Sequence, residues 1–210
     1  MGRHPSVTSI SGKRRWMLAA LLAFGAAMPA AAQFSESYKF LKGVRDADGT
    51  EVTKALQTPG STLINTRDYT TGEAALHIVV KRRDMTWLSF LLAKGANPDV
   101  RDNAGNTPLI IASQLGFPEG AELLLKQGAS VNLGNNSGET PLIVATQQRN
   151  IPMVRLLVTN GADPKRADRI AGKSAHDYAA EDVRAAAVLK ILDDAPAVKA
   201  KPKMQGPGLK

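Results

Sequence analysis

Few residues of this chain could carry acid–base, nucleophilic or metal chemistry, and their spacing scatters them. Of its three histidines, His4 precedes the apolar N-terminal run, and His77 and His176 stand 99 residues apart. An imidazole acts as a base or a metal ligand only beside a carboxylate, a nucleophile or further ligands. Neither of these two rings has a ligand cluster at useful spacing. Ser174, His176, Asp177 and Tyr178 do crowd together, the composition of a nucleophile, a base and an orienting acid. No glycine-flanked nucleophile turn accompanies them, so an enzyme site there is the weakest reading. There is no cysteine, which removes a thiolate nucleophile and any disulfide framework. Phosphate-cradling glycines of either familiar spacing are absent. The residues imply no catalytic group, no cofactor and no metal.

The elements around these residues follow a period. Glycine recurs at Gly72, Gly105, Gly138 and Gly172, in steps of 33, 33 and 34 residues. A second series, Gly95, Gly128 and Gly161, runs in phase, each followed by alanine. Two markers locked to one period mean a repeat array whose units stack in a line. Leu76, Leu109 and Leu142 share a column, and Thr107-Pro108 stands above Thr140-Pro141 where a first helix begins. Proline costs nothing at the first helical position, and threonine before it caps free amides. A second helix follows Asp84, Phe117 or Asn150, with Leu91, Leu124 and Leu157 in one column. Gly95 and its equivalents then suit the left-handed residue that ends a helix. Trp87 shares a column with Gly120 and Met153 and reads as core filling. Polar segments at 97–105, 130–138 and 163–172 read as projecting loops.

These residues resemble the ankyrin repeat, whose pattern pairs a Gly-x-Thr-Pro-Leu-His start with a Leu-Leu-x-x-Gly-Ala-Asp end. The resemblance is carried by Gly105-Asn106-Thr107-Pro108-Leu109, by Gly138-Glu139-Thr140-Pro141-Leu142 and by Leu156-Leu157-Val158-Thr159-Asn160-Gly161-Ala162-Asp163, and extends over about residues 35 to 195. It implies an all-α solenoid of stacked helix-turn-helix units with projecting β-turn loops. The pattern's histidine survives only as His77, where the resemblance implies a hydrogen bond that steadies the loop between units. Partner contacts in such domains fall on loop tips and the inner face of first helices. Here that means Arg67, Tyr69, Lys81 and Arg82, then Arg101, Asn103 and Gln114, then Asn136, Gln147 and Gln148, then Arg169 and Lys173. Tyr69 is the aromatic of that set, on a loop with no visible packing role. The set suits an acidic or polar protein segment.

The ends break the period. Residues 33–65 read as an N-terminal capping unit, with short helices at 36–41 and 51–56 before Pro59-Gly60. Repeats follow at 66–100, 101–133 and 134–166, with a C-terminal cap at 167–195. Residues 1–32 have the layout of an export signal: Lys13, Arg14 and Arg15, an apolar run, then Pro29-Ala30-Ala31-Ala32. Removal before Gln33 and a periplasmic destination are expected, by the general export route in preference to the twin-arginine one. An uncleaved inner-membrane anchor and secretion are the alternatives. The tail, 196–210, has nothing to bury and is expected to be disordered, its lysines able to hold anionic membrane or wall polymer weakly. The net charge of +8 lies entirely in these two ends, each with four Lys or Arg and no acid. The neutral body gives no pull on a phosphate backbone, which argues against nucleic acid. The function expected is a monomeric, non-enzymatic protein-binding module, a scaffold or modulator of an envelope protein. A released effector that meets host proteins is the alternative.

Overall fold

The computed structural model describes residues 30–57 and 61–195. Residues 1–29, which hold most of the export signal expected over 1–32, residues 58–60, and residues 196–210, expected to be disordered, lie outside the described residues. The capping unit holds α1 (Ala30–Asp46) and α2 (Gly49–Gln57), followed by a 3-10 turn at Leu63–Asn65. Four helix pairs come next: α3 (Ala75–Lys81) with α4 (Met85–Ala93), α5 (Pro108–Leu115) with α6 (Pro118–Lys126), α7 (Pro141–Gln147) with α8 (Ile151–Thr159), and α9 (Ala175–Glu181) with α10 (Ala186–Asp193). A 3-10 turn, Val183–Ala185, joins the last pair. Extended pairing among the described residues is limited to two isolated bridges, Arg67 with Ala74 and Ala167 with Ser174.

The helix ends follow from the residues that stop them. Thr107 and Thr140 accept from the amides of Ile110 and Ile143, with Pro108 and Pro141 opening α5 and α7. Asp84 and Asn150 cap α4 and α8 in the same way, at 3.0 and 3.1 Å. The second helices of the three repeats end on a left-handed glycine: Gly95 has φ +86°, its N–H reaches Leu92 O, and Ala96 N–H reaches Leu91 O, both at 3.0 Å. This paired closure satisfies carbonyls that the helix leaves free, and Gly128 and Gly161 repeat it.

The core is a continuous strip. The row α1, α3, α5, α7, α9 packs neighbour to neighbour, and the row α4, α6, α8, α10 packs behind it. Leu76, Leu109 and Leu142 are at most 1 % exposed, and Leu91, Leu124 and Leu157 are wholly buried. The first cap helix corrects the expectation of a short helix at 36–41: α1 runs 17 residues, continuous through Gly43, which lies buried against α2. Helix α2 likewise outruns 51–56 by a few residues. Trp87 is half-buried, not enclosed: its ring meets Phe90 edge-on at 5.8 Å and carries the Arg82 guanidinium over its face.

Candidate functional site

The loop tips form a ridge stitched from unit to unit. Asn103 donates its side-chain amide to Thr70 O at 2.9 Å, and Asn136 donates to Asn103 O at 3.0 Å. Arg67 and Arg101 close the same gaps, reaching the side-chain oxygens of Asn103 and Asn136 at 3.2 and 3.4 Å. Arg67 also donates to Gly72 O, and the Arg169 amide donates to Ser137 O at 2.8 Å. Five of the sequence-derived contact residues thus hold the ridge together while their outer atoms stay exposed. Tyr69 takes no part in the stitching and is 90 % exposed.

Along the ends of the first helices the residues divide. Gln114 and Gln147 are exposed, and Gln148 donates across the row to Gln114 O at 2.8 Å. Lys81 pairs with Glu73, and Lys173 pairs with Glu181 at 2.6 Å beside the Tyr178 ring. Arg82 is occupied: it donates to Val44 O at 2.8 Å and Arg45 O at 3.2 Å, capping the end of α1, and bridges to Asp84. Its role here is to bind the capping unit to the first repeat.

Where α1 meets the first loop there is a cleft of about 690 Å³, with Tyr38 and Tyr69 among its walls and Leu41 and Arg45 behind them. Arg45 pairs with Asp68 at 2.7 Å across it. That guanidinium, with the amides of Thr71 and Thr70, holds the Asp68 carboxyl down at about 2. At the far end burial works against the Asp168 carboxylate, but the Tyr178 hydroxyl at 2.7 Å and three backbone amides outweigh it and lower its pKa. The same bond pushes the Tyr178 hydroxyl up to about 12.

The sequence model of the family described as ankyrin repeats, in three copies, matches residues 44–135 and, overlapping them, 76–168. The chain belongs to the ankyrin-repeat family. Ankyrin repeats are in general protein–protein interaction modules.

Within the ankyrin array the chemistry-bearing residues have structural partners. His77 is fully buried: Nδ1 accepts from Ala74 N–H and Nε2 bonds to Asn106 O, each at 3.0 Å. The Nδ1 bond leaves the proton on Nε2, so a neutral ring ties the start of α3 to the next loop. It accepts the N–H of the residue that precedes the helix, the half of a capping box that Asp177 supplies to Ser174 in the last unit, where Ser174 also accepts from the Asp177 amide. Burial pushes the His77 pKa down from 6.5. Ser174 donates its hydroxyl to Asp177 at 2.6 Å, while His176 bonds to Asp193 at 2.9 Å, so these three groups do not converge as a nucleophile and its base.

Sequence reasoning missed Ser37, Tyr38, Leu41 and Arg45 as cleft residues. The available signal was their spacing, which puts Tyr38, Leu41 and Arg45 on one side of a helix only if α1 continues beyond 41. It also missed Ile170 and Val183, exposed at 81 % and 90 %. Ile170 lies in the loop with the same extra residue as the Tyr69 loop, a departure from the period visible in the glycine spacing.

Proposed function

We propose that this ankyrin-repeat protein is a non-enzymatic binding module that holds another protein along its loop ridge and the ends of its first helices. The observation that carries the reading is Tyr69: a large aromatic side chain, 90 % exposed on the ridge, with no hydrogen-bond partner among the described residues. Tyrosine supplies contact area at low entropic cost and recurs at the centres of interfaces. Gln114 and Gln147 extend the surface with neutral amides that can donate and accept. The leader layout of residues 1–32 supports export, and the partner is then a protein of the cell envelope, positioned or restrained by being held. The neutral repeat body supports a protein partner over nucleic acid.

The test is capture from an envelope fraction by the full chain, against a Tyr69→Ser, Gln114→Ala, Gln147→Ala variant. A partner retained by the first and lost by at least about tenfold in the second, with Tm unchanged, is expected. Equal retention would reject this surface. Arg82 is left intact, because replacing it would loosen α1 and confuse binding with folding.

A further inference from the structure

We infer that the cleft between α1 and the 66–72 loop receives a short apolar peptide segment bearing one carboxylate, the anchor of the partner held on the ridge. The inference rests on the binding reading above and names the chemistry of its strongest contact.

Repeated columns are accounted for by stacking, so the features that depart from the period ask for another cause. Three of them converge on this cleft. Helix α1 is 17 residues long where the first helices of the repeats have 7 or 8. The loop after Asp68 has one residue more than those after Asp102 and Asn135. Tyr38 and Tyr69, the largest exposed hydrophobic side chains among the described residues, come one from each. At about 690 Å³ the space falls among the sizes that hold a ligand or a few peptide side chains.

The walls define the occupant. Tyr38, 62 % exposed, and Tyr69 line it with aromatic surface together with Leu41, so the bulk of the ligand is apolar. A hydroxyl bond between Thr66 and Ser37 at 2.9 Å ties loop to helix and fixes the cleft's width. Two guanidiniums, Arg45 and Arg67, line it against the single carboxylate of Asp68. Asp68 is already committed to Arg45, Thr70 and Thr71. Arg67 meets only neutral oxygens. Arg45 uses one nitrogen on Asp68, and its other donors have no hydrogen bond among the described residues. The lining therefore carries one excess positive charge on a guanidinium already held in place, which favours one carboxylate and disfavours an ammonium.

The chain has three tyrosines, Tyr38, Tyr69 and Tyr178, so their ring resonances report the cleft with an internal control at the far end. The probe is a blocked pentapeptide with glutamate between phenylalanine and leucine, titrated into the full chain and followed by NMR. Saturable shifts at Tyr38 and Tyr69 with Tyr178 unmoved are expected. Replacing the peptide's glutamate by lysine should weaken binding by at least about tenfold. A Tyr38→Ala protein should lose binding equally while keeping its Tm. Equal affinity for the lysine peptide, shifts shared by Tyr178, or undiminished binding by Tyr38→Ala would each overturn the inference. Partner capture that survives Tyr38→Ala but falls in the Tyr69, Gln114, Gln147 variant would remove the cleft and leave the ridge reading standing.

Discussion

Thr146 carries a buried hydroxyl with no hydrogen-bond partner among the described residues. One repeat earlier, in the same column, Ser113 donates to Leu109 O at 3.0 Å. Burying an unpaired hydroxyl costs about 1 kcal/mol or more, and valine has nearly the same shape without it. Thr146→Val is therefore expected to raise stability by about 1 kcal/mol, read as a higher Tm, and a lower Tm would mean the hydroxyl has a use in the fold. His77 makes a different prediction. Its folded pKa lies below the ordinary 6.5, so as pH falls through 6.5 the unfolded chain takes up the proton first. The stability contributed by the neutral ring is complete above 6.5 and is lost progressively below it. Ala74→Thr with His77→Ile copies Thr107 and Ile110, and denaturant melts at pH 7.5 and 5.5 should show that this share of the pH dependence has gone. Persistence of the whole dependence in the double variant would assign it elsewhere. The column alignment made His77 legible as a structural histidine, because the family pattern names the slot. Its bond to the Ala74 N–H was not legible, because it depends on how the ring is turned inside the folded unit.

In the three repeats each second helix solves the entry to its first turn with a matched pair of residues. Asp84 goes with Trp87 and Asn150 with Met153, a polar cap followed by a large side chain. The middle unit inverts this: Phe117 caps nothing, and its buried ring fills the space over Gly120 that a Cβ would occupy. Gly120→Ala is expected to cost roughly 1–3 kcal/mol by displacing that ring. Phe117→Asn with Gly120→Met should recover most of the loss, and a double-mutant cycle measures the coupling. Additive effects would show the ring is free to move aside. Helices, glycine closures and the stacking order were all legible, since they repeat and each copy corroborates the others. The cleft was not. Tyr38 and Tyr69 are brought together by α1, which occurs once, so no second copy in the sequence reveals its length or register. The bonds of Arg82 were not legible for the same reason: its position matches Gln148, but only the first unit has carbonyls of a cap helix within its reach.

An array of this kind holds its ends by one interface each, so the ends decide how it yields. Both are clipped by an arginine–aspartate pair: Arg45 with Asp68 joins α1 to the first loop, and Arg149 with Asp182 joins the third repeat to the last unit, each at 2.7 Å. Asp68 is lowered to about 2 chiefly by Arg45, and Asp182 to about 2 chiefly by the Arg184 amide and then by Arg149. A carboxyl depressed from 3.8 contributes stability that is present above 3.8 and lost as pH falls through about 2. The middle units are joined chiefly by buried leucines, and the carboxylate that crosses between them, Asp99 to Ser130, meets a neutral partner. Acid should therefore loosen the ends first: between pH 4 and pH 2, amides of α1 and α10 should lose exchange protection before those of α5 and α7. Asp68→Asn should reproduce the loss at α1 at neutral pH, and Asp182→Asn the loss at α10. Because both pairs are partly exposed, added salt should shrink the contrast. Uniform loss across all units would mean the array melts as one body. Loosening α1 also separates Tyr38 from Tyr69, so partner capture should fall in Asp68→Asn and remain in Asp182→Asn, a polarity that follows from the cleft lying at one end.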